Sequence, residues 1–292
     1  MKTRKTLDTM SIPELVAFYQ RGFGADDDAG RVLKARGEPA RSELIRLLDA
    51  TPAAELDGDR VATIVKILTY EFPSQPSSEA VERLRSRLTG SPRLRDEFRS
   101  RSAIIRAQAS GRWNEAWEKE QEAMSPAEKN LHYTELLLEY CVPSDRVSFL
   151  VEVARQTLDL GQEAKAEAYA REILATPDLV ARSGDGVYYG NHVLGMLALR
   201  QGDIAGAKQY LIASSKTPGS WEMNGIRPPD PSLAMALLAR GEREAVCEYL
   251  DGCKVFSKKD AMIERWKRTI RAGGTPEFML DWLEANVHMK LR

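Results

Sequence analysis

The stretch LALRQGDIAGAKQYLIAS, residues 197–214, reads as a helix, a glycine turn and a second helix. Apolar residues recur at spacings of three and four on both sides of Gly202, the period of an amphipathic helix. Glycine there takes the positive φ that ends a helix. The arrangement recurs in RAQASGRWNEAWEKE (106–120), RQTLDLGQEAKAEAYAREIL (155–174) and LLARGEREAVCEYLDGC (237–253). With Gly111, Gly161, Gly202 and Gly241 aligned, the fifth residue after the glycine is Ala116, Ala166, Ala207 and Val246. The ninth is Glu120, Ala170, Leu211 and Leu250, and the seventh before is Ile104, Ala154, Gly195 and Ala234. Small residues at such positions let two helices approach, and larger ones fill the space between neighbouring pairs.

Outward from these turns, almost every longer segment keeps the helical period and no alternating strand pattern appears, so the expected class is all-α. Ser91-Pro92, Thr275-Pro276 and Asp230-Pro231 each place a capping side chain before a proline at a first helical position. Gly273 marks a further helix end. Two helices are expected near the C-terminus, with Ile263, Trp266 and Ile270 on one apolar stripe and Phe278, Trp282 and Leu283 on another.

The pattern resembles the tetratricopeptide repeat family. In the stretch from His192 to Pro218, Leu194-Gly195, Gly202, Ala207, Leu211 and Pro218 stand at the spacings of that consensus, while Ala198 replaces its usual tyrosine. A second copy carries Val153-Ala154, Gly161, Ala166 and Pro177. Glycine intervals of 50, 41 and 39 residues depart from the family's regular period. Before residue 91, GRVLKARGEPARSELIRLLDA resembles a HEAT-type repeat through Gly37, Pro39, Ala40, Leu44, Ile45 and Leu48. Together the resemblances imply an α-solenoid of stacked antiparallel helix pairs: a HEAT-like region at 1–90, repeats at 91–257 and capping helices at 258–292. They further imply a concave face lined by the first helix of each pair, with Arg101 and Ile105, Val151 and Arg155, and His192 and Met196 on it and Tyr189 near the rim. The carboxylate-gripping subset of the family places asparagine and lysine where this chain has Ser102, Glu152 and Val193, so that mode is not expected.

Composition narrows the partners. Lys plus Arg (42) balances Asp plus Glu (43) among 292 residues, so no whole-protein field favours nucleic acid or an anionic membrane. No segment approaches the length of a membrane helix and no cleavable leader is evident, which makes a cytoplasmic setting the expectation. Cys141, Cys247 and Cys253 form no C-x-x-C pair, and His132, His192 and His288 lack metal-ligand spacing, so no metal or other cofactor is expected.

Among charged motifs, Asp26-Asp27-Asp28 reads as a solvated loop whose last residue caps a helix, and SGDGVYYGN (183–191) as a turn between repeats. Arg95, Arg99 and Arg106 fall on one side of a helix and form a candidate anion-binding stripe for an acidic partner. The connection TPGSWEMNGIRPPDPS (217–232) exceeds what a repeat turn needs, and its Trp221, Asn224 and Arg227 complete the candidate partner-binding set. The leading expectation is a non-enzymatic adaptor that binds a protein or peptide on the concave face. One alternative is a helical enzyme or small-ligand sensor with a pocket under residues 219–229, and the other is a nucleic-acid binder using the arginine stripe.

Overall fold

The computed structural model describes residues 6–20, 25–56, 58–88, 92–176, 184–219, 223, 229–257 and 259–281. All regular structure among them is helical, and helices pack against their neighbours in chain order, a solenoid-like all-α fold. The chain divides into two compact units, one of Met1–Ser125 with Leu136–Pro143, the other of Pro126–Glu135 with Ser144–Arg292.

The first unit contains α1 (Ile12–Tyr19), α2 (Ala25–Arg36), α3 (Glu38–Asp49), α4 (Asp59–Tyr70), α5 (Gln75–Arg87), α6 (Pro92–Ala109) and α7 (Glu115–Glu120). It also takes the C-terminal end of α8 (Pro126–Tyr140), whose start belongs to the second unit. Ser11 opens α1 with a reciprocal cap, its hydroxyl accepting from Glu14 N while the Glu14 carboxylate accepts from Ser11 N. The core runs through Leu15, Leu33, Leu44, Ile64, Leu68, Leu84 and Phe98. Ala40, Leu44 and Leu48 are buried as the helix pair around Gly37 requires, and Gly37 has φ 60°. Asp26 to Asp28 lie within the first turns of α2 instead of a preceding loop. Carboxylates at a helix start are favoured by the macrodipole, and Asp28 pairs along the helix with Arg31.

The second unit continues with α9 (Arg146–Asp159), α10 (Glu163–Leu174), α11 (Gly184–Arg200), α12 (Ile204–Ser214), α13 (Ser232–Leu238), α14 (Arg243–Ser257) and α15 (Asp260–Arg271). Three turns are built alike. Gly161, Gly202 and Gly241 have φ of 71°, 79° and 84°. The residue after each glycine donates its N–H back to a carbonyl five positions earlier: Gln162 to Thr157 (2.8 Å), Asp203 to Ala198 (2.9 Å) and Glu242 to Leu237 (3.0 Å). Each glycine N–H is bonded three positions back, to Leu158, Leu199 and Leu238 respectively. Both bonds occupy carbonyls that the helix end leaves unpaired. The aligned Ala154, Ala166, Ala170, Ala207, Leu211, Val246 and Leu250 are all buried.

The copy at Gly111 departs from this. It makes the same turn, with Arg112 N donating to Ala107 O (3.1 Å), but the helix after it has only 6 residues, and Ala116 and Glu120 are exposed. Trp117 is the buried residue of α7, in ring contact with Trp113. Two further expectations shift. Residues 184–191 form the first turns of α11, not a turn between repeats. The helix expected from Pro276 begins at Phe278, and its continuation with Trp282 and Leu283 lies outside the described residues.

α15 packs on α14 through Ile263, Trp266 and Ile270, and the Phe278 ring meets the Trp266 ring edge to face at 4.9 Å. Charges tie the same two helices. Lys267 Nζ donates to both Asp251 carboxylate oxygens at 2.6 Å, and Lys254 Nζ reaches Asp251 at 2.8 Å and Glu264 at 2.5 Å. The ammonium of Lys267 is nearly buried, so Asp251 supplies the charge that its burial requires.

Candidate functional site

The sequence places Gly184, Tyr188, His192 and Gly195 at spacings of four, four and three, which puts them along one side of α11. That side receives the chain leading into α13. Thr217 Oγ1 donates to Gly184 O at 2.8 Å, and a methyl group on Gly184 would stand 2.2 Å from the backbone of Gly219. Tyr188 OH donates to Asp230 O at 2.7 Å and shares a hydrogen bond with Tyr249 OH at 2.9 Å. Further along, His192 Nε2 and Ser232 Oγ are 3.1 Å apart, and Asp230 Oδ2 stands 3.9 Å from the same nitrogen. Asp230 Oδ1 accepts from Ser232 N at 2.9 Å, but the helix starts one residue later than expected: Pro231, not Asp230, is the N-cap of α13, and the aspartate stands one position before it.

Rings extend the cluster toward α9. Tyr188 and His192 are stacked at 6.0 Å between centroids, Tyr189 meets Tyr188 edge to face at 5.1 Å, and the Arg155 guanidinium lies 4.7 Å from the Tyr189 ring centroid. Arg155 also approaches Glu152 at 3.8 Å. The cluster is thus buried at Tyr188 and His192 and partly exposed at Tyr189 and Arg155.

Burial sets the protonation of the inner groups. It lowers the His192 pKa from its ordinary 6.5, because desolvation outweighs the nearby Asp230 charge and Arg155 adds repulsion. Asp230 is also held below its ordinary range: burial opposes ionisation, but His192, the Ser232 N–H and hydroxyl, and Arg155 together favour the carboxylate. Tyr188 and Tyr249 are pushed up by burial, and the Cys253 thiol is raised to about 12 for the same reason, so it is no nucleophile near neutrality.

The sign of a pH effect follows. Below 6.5 the unfolded chain protonates His192 while the folded chain resists, so stability present above 6.5 falls as pH drops toward the folded value. Asp230 adds a loss only in stronger acid, as pH falls below 3.8. Thermal unfolding of wild type and His192→Gln at pH 7.5 and 5.5 is expected to show a smaller loss of Tm in the variant. Equal losses would contradict the assignment.

The candidate residues separate into groups. Arg155 and Tyr189 are brought together across α9 and α11, and both remain partly exposed, as does Met196 further along α11. Ile105, Val151 and His192 do not lie on an open face: Ile105 is fully buried in the first unit's core, Val151 is buried on α9, and His192 is covered by Asp230 and Ser232. Arg101 in the first unit donates to Tyr70 OH at 2.6 Å, stands over that ring at 5.3 Å and approaches Glu97 at 3.7 Å. Trp221, Asn224 and Arg227 lie outside the described residues.

The arginine stripe is not continuous. Arg95 is exposed and Arg99 partly buried, but Arg106 turns inward, its Nε donating to Tyr140 O at 2.6 Å and its Nη1 to Ser78 Oγ at 2.8 Å, with Glu82 at 3.7 Å. Tyr188, Tyr249 and Ser232 are the members that sequence reading missed. Tyr188 alone had a local signal, four residues before His192 and seven before Gly195.

Among the described residues no group of three or more His, Cys, Asp or Glu side chains is placed to hold a metal ion, and no helix is long and apolar enough to cross a membrane. No family model, curated protein or solved structure matches the chain.

Proposed function

We propose that the second unit is a non-enzymatic interaction module that holds a protein or peptide segment across α9 and α11. The observation that carries this reading is the Arg155–Tyr189 pair, contributed by the first helices of two successive pairs, with the Arg155 side chain 38% exposed. A cation over a partly exposed ring presents a flat aromatic edge and a charged fork together, a combination enriched where proteins bind one another. Asp185 and Met196 flank Tyr189 on the same side of α11 at spacings of four and seven, so a partner meets acidic, aromatic and thioether groups in a row. Arg155 favours a carboxylate on the partner, and Tyr189 with Met196 favours an apolar side chain beside it.

The test is affinity capture by the full chain from a lysate, compared with Arg155→Ala/Tyr189→Ala, with far-UV circular dichroism of both. A specific partner is expected to fall by at least about tenfold with the variant while the spectrum is unchanged. Equal recovery would remove these residues from the binding surface.

A further inference from the structure

The first unit carries a tyrosine and an arginine in a similar arrangement, independent of the Arg155–Tyr189 surface. On α4, Lys66 and Tyr70 are four residues apart on the exposed side, while Ile64, Val65, Ile67 and Leu68 face the core. α6, the first helix of the next pair, packs beside α4 and supplies Arg101. Its guanidinium lies 5.3 Å from the Tyr70 ring centroid, and its Nη1 donates to Tyr70 OH at 2.6 Å. The Tyr70 side is open to solvent, with the residue 45% exposed. In both units, then, a cation on one first helix covers a tyrosine on its neighbour.

Two donors meet at this point. Because the Tyr70 oxygen accepts from Arg101, its own O–H hydrogen is left for a third group, and among the described residues none takes it. Glu97 Oε1 stands 3.7 Å from Arg101 Nη2, an ion pair longer than a hydrogen bond. Glu71, next to Tyr70 in the chain, is directed to α2, its Oε1 2.7 Å from the place a methyl group on Gly30 would take. Lys66 adds a second cation one turn earlier, its ammonium 5.2 Å from the Tyr19 ring centroid. A carboxylate can accept from the tyrosine O–H and a guanidinium N–H together, and bonds to an ionised acceptor are the stronger kind. The exposed ring beside it suits an aromatic side chain. A nucleic-acid strand asks instead for several stacking rings, and Tyr70 is the one exposed ring among the described residues of α4 and α6. We propose that Tyr70 and Arg101 form a second docking surface, which takes a peptide segment with an acidic residue next to an aromatic one.

The probe is the end-blocked peptide Gly-Asp-Phe-Gly, titrated into the full chain with labelled tyrosine rings and followed by NMR, the Tyr70 signals being assigned from their loss in Tyr70→Phe. The controls are the blocked peptide Gly-Asn-Phe-Gly and inorganic phosphate. The acidic peptide is expected to shift the Tyr70 signals saturably and to bind at least about fivefold more tightly than the asparagine peptide, the difference between an ionised and a neutral acceptor. Arg101→Gln is expected to weaken the acidic peptide by about fivefold or more and the asparagine peptide much less. If that variant does not fold, the comparison of the two peptides on the wild-type chain still decides the matter. Absence of saturation at Tyr70, equal binding of the asparagine peptide, an unchanged affinity in Arg101→Gln, or an equal response to phosphate would each overturn the proposal. A shift confined to Tyr189 would also overturn it, while supporting the surface on the second unit.

Discussion

Tyr188→Ala is expected to destabilise the second unit by about 3–5 kcal/mol, the range for removing a large aromatic side chain from a packed core. Tyr188 is fully buried, and its hydroxyl joins two elements distant in sequence, Asp230 O at 2.7 Å and Tyr249 OH at 2.9 Å. Truncation opens a cavity and leaves those two groups without this partner. Tyr188→Phe separates the effects: it keeps the ring and is expected to cost about 1–2 kcal/mol, mostly through the unmet groups. Urea unfolding of both variants with Tyr249→Phe, and of Tyr188→Phe/Tyr249→Phe, measures the coupling. A cycle that closes additively would mean that the two hydroxyl groups do not act together.

Gly184→Ala is expected to be the other severe change, although alanine ordinarily favours a helix over glycine by about 1 kcal/mol. The added methyl would lie 2.2 Å from the carbonyl carbon and oxygen of Gly219, and these are backbone atoms that no rotamer change can move aside. Overpacking of that kind costs about 1–3 kcal/mol, which exceeds the propensity gain at a first helical turn. Relief requires the chain at Thr217–Gly219 to lift from α11, breaking the Thr217 hydroxyl bond to Gly184 O. Hydrogen exchange should then show faster exchange at Gly219 N–H, which rests on Thr217 Oγ1 at 3.2 Å. A variant as stable as wild type, with that amide equally protected, would show the contact to be compliant.

The helix pairs were legible because their information is local. Ala166, Ala207 and Val246 follow their glycines at one spacing, and each is buried in the structure. Gly111 shows the limit: its turn chemistry is intact, but whether the next helix is long and covered depends on partners far along the chain, and Ala116 is exposed. The same limit explains His192. Its helical position was correct, but the residues that cover it, Asp230 and Ser232, approach from about forty positions away, which a periodic reading does not see. Glycines at 184, 186 and 190 suggested a turn, yet Gly184 and Gly190 meet Gly219 and Leu174 closely, so they serve close approach within α11. Asp26 to Asp28 were misplaced by a bias toward loops that the helix-start electrostatics reverse.

The two tethers on α11 also bear on the length of the connection between α12 and α13. Thr217 is fixed to Gly184 and Asp230 to Tyr188, and these anchors are four residues, or about 6 Å, apart along the helix axis. The chain therefore leaves and returns to nearly the same place, and the entropy of closing it rises only logarithmically, by about 0.6 kcal/mol for each doubling of its length. Met223, between the tethers, is buried in the same core as Tyr188, so the packing of that residue constrains the connection more than its length does.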